Sequence, residues 1–143
     1  APGIERMRVG TPPVIALSAL EASLDIWDTV DMAALRARSI ELTEAFIAGV
    51  EAQCPDLVLN SPRDPARRGS QVGFRHPQGY AVMQALIAAG VVGDFRAPDV
   101  LRFGFAPLYN DLDDVSQAVA TLARILRDGS WDSAEFRRKA AVT

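Results

Sequence analysis

The ten residues from Val100 to Tyr109, VLRFGFAPLY, constrain the fold more than any other stretch. Leu101, Phe103 and Phe105 alternate with Val100, Arg102 and Gly104. That period of two predicts a strand with one buried face and a guanidinium on the other. Gly104 offers no side chain to pack, which in a strand often marks a close approach by a ligand or another backbone. The open space beside Arg102 would suit a carboxylate. The plainer use of such a residue is a surface ion pair at a sheet edge, since arginines are mostly exposed.

A chain of 143 residues is long enough for one ordinary domain that buries roughly 70% of its unfolded surface, with no need of a disulfide or metal. Cys54 is the single cysteine and His76 the single histidine, so neither an internal disulfide nor a four-ligand zinc site can form, and no metal is expected. The net charge of −3 and the lack of a basic stripe interleaved with aromatics argue against a nucleic-acid partner. Lys139 is the one lysine, and it lies in a polar tail, so the expected core holds no amine for Schiff-base chemistry. No apolar run approaches the ~20 residues of a membrane span and no leader pattern opens the chain, so a soluble, cytoplasmic setting without a membrane partner is expected. The start at Ala1-Pro2, without an initiator methionine, is compatible with a trimmed protein or with a piece of a longer one.

Along the chain, an extended lead through Arg8-Val9-Gly10 meets Thr11-Pro12-Pro13. There Thr11 is expected to cap a helix over 13–28 whose first positions tolerate proline. Leu17, Leu20, Leu24 and Trp27 form one apolar stripe, expected to pack against the rest of the protein. Asp31 is expected to cap a second helix over 32–53, with Met32, Leu35, Ser39, Leu42 and Phe46 on one face, widened by Ile40, Ile47 and Val50. Cys54-Pro55 ends that helix, and no neighbour in sequence would activate the thiol.

Leu57-Val58-Leu59 reads as a short strand, and Ser61 to Arg68, SPRDPARR, as a loop whose arginines are solvated or paired with Asp64 rather than a phosphate site. Residues 70–75 alternate as a half-buried strand stopped by His76-Pro77, where a lone histidine is usually a surface or hinge residue. A helix over 78–89 turns Val82, Met83, Leu86 and Ile87 inward and ends on Gly90 in the left-handed conformation. Strands 91–95 and 100–105 follow, paired antiparallel through Ala97-Pro98-Asp99. Asp111 caps a last helix over 112–128, closed by Gly129, with Val115, Val119, Leu122 and Leu126 buried. Residues 130–143, around Trp131 and Phe136, form a polar, basic tail that is either mobile or docked. Helices gathered on one face of a small, mainly antiparallel sheet make an α+β two-layer domain.

Three segments together, RVGTPP at Arg8 to Pro13, SPRDPARRGSQVGFRHPQGYAVMQALI at Ser61 to Ile87, and GDFRAPDVLRFGFAPLYN at Gly93 to Asn110, closely resemble the C-terminal part of the bacterial kynureninase family. The resemblance runs from about Arg8 to Leu126 and implies the small C-terminal domain of a fold-type I pyridoxal phosphate enzyme. It implies hydrolysis of L-kynurenine, or 3-hydroxykynurenine, to anthranilate, or 3-hydroxyanthranilate, and L-alanine in tryptophan catabolism. Arg102 in VLRFGF matches the arginine that in the family grips the substrate α-carboxylate. Thr11 in RVGTPP matches a position that contacts the cofactor phosphate from the neighbouring subunit of a homodimer. Both roles suit their chemistry, since a guanidinium fork pairs bidentately with a carboxylate and anions are favoured near a helix N-terminus. The family's Schiff-base lysine and most of its phosphate ligands belong to a large domain that this sequence does not include, so the chain alone is expected to be inactive and to hold no catalytic residue. Two other readings stand beside this one. One is the equivalent domain of an aminotransferase or cysteine desulfurase; the other is a stand-alone α+β ligand-binding module, which needs no lysine.

Overall fold

A computed structural model describes residues 2–7 and 10–138 of the chain. It divides into two compact units, Ala1–Met32 and Ala33–Thr143.

In the first unit a 3-10 turn over Gly3–Met7 is followed by helix α1, Val14–Trp27. Arg8 and Val9 lie outside the described residues. Thr11 does not cap α1: Pro13 stands at the N-cap, no side chain closes the first turn, and the Pro13 carbonyl accepts from the Leu17 N–H at 2.9 Å. The cause is the Pro12-Pro13 pair. Each proline pushes the residue before it toward extended backbone, so the helix starts later than the sequence suggested and the hydroxyl is left two residues short of the cap. The apolar stripe is present but not covered. Leu17, Leu20, Leu24 and Trp27 are all exposed, and no residue of α1 is buried.

The second unit carries the core. Helix α2 spans Met32–Gln53, and its buried residues begin only at Ser39: Ser39, Leu42, Thr43, Phe46, Ile47 and Val50. Met32, placed on the buried face by its spacing, is exposed. Strand β1 (Val58–Leu59) leads through an arginine-rich loop to β2 (Gln71–Arg75). Helix α3 (Gly79–Ala88) ends at Gly90, whose φ of 87° is the left-handed geometry expected of it. Ile87, however, is partly exposed rather than inward.

Strand β3 covers Asp94–Arg96, three residues later in its start than the apolar run suggested. The Val91 N–H is used at the helix end, donating to the Leu86 carbonyl at 2.9 Å, and Val92 points to solvent. A turn containing a cis Ala97–Pro98 peptide leads to β4, Val100–Gly104. Helix α4 (Leu112–Asp128) opens on a capping box between Asp111 and Asp114 and closes on Gly129 at φ 64°, as Asp and Gly at those positions favour. In α4 the buried positions include Ile125, while Leu126 is partly buried.

The sheet order is β1-β2-β4-β3, every neighbouring pair antiparallel. The chain leaves β2 through α3 to the far edge, and the β3–β4 hairpin then brings β4 back beside β2. Val72, Phe74, Leu101 and Phe103 face one side and join a single core with Phe46 and Val50 of α2, Met83 and Leu86 of α3 and Val119 and Leu122 of α4. The helices thus cover one face, the α+β two-layer arrangement expected from the order of elements. Gly49 lets α2 and α4 approach closely, since a Cβ there would lie 3.0 Å from the Val119 side chain. Trp131, and Phe136 of helix α5 (Ala134–Arg137), pack against this core.

Phe46 sits at the centre, fully buried, with ring centroids 6.1, 4.8 and 5.1 Å from Phe74, Phe103 and Phe105. Replacing it by alanine removes contacts to both central strands, so Phe46→Ala should cost about 3–5 kcal/mol in urea unfolding, and Phe46→Leu distinctly less. A loss below about 1 kcal/mol for the alanine variant would show that the core is not organised around this ring.

Candidate functional site

Arg102 lies on β4, a central strand, and not at the sheet edge. Its direct cross-strand neighbours are Gly73 on β2 and Asp94 on β3. Leu101 and Phe103 point into the core, so the pleat turns Arg102 to the face that no helix of its own unit covers. The side chain keeps only a quarter of its surface exposed. Its Nη2 donates to the Asp94 carboxylate, and its buried Nε has no hydrogen-bond partner among the described residues. Gly104 leaves open space two positions along, with nothing within 4 Å of where a Cβ would stand. The sequence reading identified Arg102 and Gly104. It missed Asp94 and Gly73, which become neighbours only through strand pairing.

Thr11, the other expected site residue, is exposed ahead of α1 in the first unit. Two residues without N–H groups follow it, so its hydroxyl is a donor that this segment can present to an anion.

Of the SPRDPARR arginines Arg67 is exposed, as expected, while Arg63 and Arg68 are paired, though not with Asp64. Asp64 instead caps the short turn Pro65–Arg67 by accepting from the Ala66 N–H at 2.9 Å. Arg63 pairs with Glu51, which holds the Glu51 carboxyl below its ordinary range. The Arg68 side chain is almost fully buried, paired with Glu44 and donating to the carbonyls of Pro62 and Arg63. Nearby, Arg36 donates to the carbonyls of Pro65 and Arg68. The donors of Arg36, Arg63 and Arg68 are thus used within the fold.

Burial raises the pKa of the Cys54 thiol, and the Asp56 carboxylate raises it further. The group therefore stays a neutral thiol at the end of α2, where its N–H donates to the Val50 carbonyl at 2.7 Å. A cavity of about 240 Å³ is lined by Phe46, Phe103, Gly104, Asn110 and Asp114, on the helix side and not over Arg102. Among the described residues no group of three or more His, Cys, Asp or Glu is placed to hold a metal, and no helix is long and apolar enough to cross a membrane.

Residues 35–122, which include the whole sheet and Arg102, match the family model for the kynureninase C-terminal domain. The chain belongs to the kynureninase family. It is 51% identical over 144 residues to kynureninases of Burkholderia mallei (strain SAVP1) and Burkholderia pseudomallei (strain K96243), and 47% identical over 143 residues to that of Pseudomonas fluorescens. Each alignment covers 99% of this chain but only 34–35% of the relative. The chain thus spans about a third of the length of these kynureninases and corresponds to their C-terminal part. Membership sets aside the aminotransferase and cysteine desulfurase readings.

In this kynureninase domain His76 follows β2 and is half-buried. Its Nδ1 accepts from the Gln78 N–H at 3.1 Å, and its ring meets Trp131 edge-on at 5.7 Å. Burial pushes its pKa below the ordinary value, while the Asp56 carboxylate pulls it back up. Because the folded pKa lies below the unfolded one, the unfolded chain binds the proton first as pH falls, and stability is lost below about pH 6.5. Urea melts between pH 7 and 5 should therefore show falling stability, by at most about 1.4 kcal/mol per pH unit from this one group, and His76→Gln should flatten that slope. An equal slope in the variant would remove His76 as its source.

Proposed function

We propose that this chain is the small C-terminal domain of a pyridoxal phosphate-dependent enzyme that hydrolyses L-kynurenine, or 3-hydroxykynurenine, to the corresponding anthranilate and L-alanine. In this reading Arg102 holds the substrate α-carboxylate. The observation that carries it is a partly shielded guanidinium on the open sheet face, beside Gly73 and Gly104, in a chain of this family. Planar donors match a carboxylate two-point, and Gly104, with nothing within 4 Å of where a Cβ would stand, leaves room for the rest of an amino acid to approach the strand.

Pyridoxal phosphate supplies the electron sink for cleaving the carbon–carbon bond beside the substrate's carbonyl. What the resemblance assigns to this chain toward it is one hydroxyl. Thr11 fits a single phosphate contact in a site shared across a homodimer, and its exposure ahead of α1 is compatible with such a contact. The lysine and the remaining phosphate ligands would come from the longer protein. Lys139 itself lies outside the described residues. The isolated chain is accordingly expected to be inactive, and its mixture with cofactor and kynurenine should release no anthranilate fluorescence above the protein-free control. Measurable turnover lost in Lys139→Ala would overturn that expectation.

The contact with Asp94 supports a second reading, in which Arg102 only makes an ion pair. An exposed pair is worth about 0–1 kcal/mol of stability and predicts near-normal kinetics for Arg102→Ala in the full-length enzyme. A carboxylate grip predicts a loss of kcat/KM of roughly thirtyfold to several thousandfold, with cofactor binding retained and only partial rescue by Arg102→Lys. Steady-state kinetics beside a thermal melt of the same variants decides between them. For Thr11→Ala, cofactor affinity should weaken by about 1 kcal/mol, the usual net worth of one hydrogen bond, and an unchanged cofactor Kd would end that role.

A further inference from the structure

The environment of Arg102 is asymmetric in a way that points to a second residue of the site. Toward β2 its neighbour is Gly73, and along β4 the next residue on the same face is Gly104, so neither side can steer a long side chain. Toward β3 its neighbour is Asp94, directly opposite in the antiparallel register, and that carboxylate is its one side-chain hydrogen-bond partner among the described residues. The Asp94 Oδ2 that accepts from Arg102 Nη2 also lies 3.6 Å from the Nε of Arg96, two residues on along the same strand face.

We infer that Asp94 is a positioning residue for substrate binding: it pins the Arg102 guanidinium to the β3 side of β4 and leaves Nη1 free to take a carboxylate. The inference rests on the reading of Arg102 proposed above. Arginine carries a large rotamer entropy, and a side chain already fixed in its binding geometry loses less of it when the ligand arrives. A lone carboxylate beside the guanidinium would cancel its attraction for an anion. Here Arg96 shares that carboxylate, so the three side chains keep a net charge of +1. Asp94 thereby orients without neutralising.

The two possible effects of Asp94 have opposite signs, which makes the test decisive. If it positions Arg102, removing it weakens substrate binding; if it merely competes for the guanidinium, removing it tightens binding. In the full-length holoenzyme with L-kynurenine, Asp94→Ala should raise KM about tenfold with kcat within about twofold, since substrate and transition state lose the same held partner. Asp94→Asn keeps the shape and one acceptor oxygen and should fall between wild type and Asp94→Ala. The double variant Asp94→Ala/Arg102→Ala should be no worse than Arg102→Ala alone, because both act through one guanidinium. The cofactor absorption spectrum should be unchanged in all of them. An unchanged or lowered KM for Asp94→Ala, with Arg102→Ala strongly impaired, overturns the inference and leaves the reading of Arg102 standing. A normal KM for Arg102→Ala overturns that reading and the inference with it. Should Asp94→Ala fail to fold, Asp94→Asn carries the same comparison, with a raised KM supporting the inference and an unchanged or lowered one overturning it.

Discussion

The register of β4 is the constraint on which the rest depends. In the observed pairing Leu101 and Phe103 are buried while Arg102 faces away, with Val72 and Phe74 of β2 entering the same core. A slip of one residue would exchange the faces, turning a guanidinium into an apolar core and two large side chains into water. Burying an unpaired charge costs several kcal/mol, and exposing Leu101 and Phe103 forfeits roughly 1.5–3 kcal/mol each. No compensating contact is available, so the pleat that protects the core is also what holds Arg102 on the open face. The same register puts Asp94 and Gly73 on either side of it.

β2, which fixes one side of that register, is anchored at its entrance by buried polar groups rather than by apolar packing. Arg68 spans Glu44, Thr43 and the carbonyls of Pro62 and Arg63, so α2 and the loop before β2 are tied through one guanidinium. Two residues on, the hydroxyls of Ser39 and Ser70 meet at 2.7 Å. The Ser70 carbonyl accepts from the Phe105 N–H at 2.9 Å, extending the ladder past the end of β4. Deleting one partner of such a network leaves the others buried and unsatisfied, which costs more than the bond itself contributes. The loop therefore sets where β2 begins, and through β2 where Gly73 stands.

How much of this could be read from the chain differs with the range of the cause. Helices α2, α3 and α4, Gly90 and Gly129 as left-handed ends, and the alternation of β2 and β4 are local consequences of spacing and backbone freedom, and all were legible, whereas the short α5 lay in what read as a polar tail. The late start of β3 was not, because Val91 is spent on the end of α3, a competition that apolar content does not reveal. Thr11 was misread as a cap for an equally local reason, the second proline. The stripe on α1 marks a limit of another kind. Periodicity tells that a helix face is apolar, but not what meets it. Asp94 and Arg68 were missed because their partners lie 8 and 24 residues away across strands and loops.

Arg68 and Arg102 show why an ion pair alone does not separate a structural arginine from a binding one. Each donates to one carboxylate in the same unit, and each has a buried Nε without a partner. Arg68 then spends its remaining terminal donors on two carbonyls and a hydroxyl and is sealed from solvent. Arg102 has no such set. Its neighbours are glycines on two sides, and it keeps donor capacity beside the open space at Gly104, on a sheet face that no helix of its own unit covers. A guanidinium left partly unsatisfied and partly desolvated is unfavourable for stability by itself. The same arrangement is favourable once an anion arrives, because the desolvation is already in place and the donors are already aimed. Unspent hydrogen-bonding capacity, rather than the presence of a carboxylate partner, is therefore the physical mark that sets Arg102 apart.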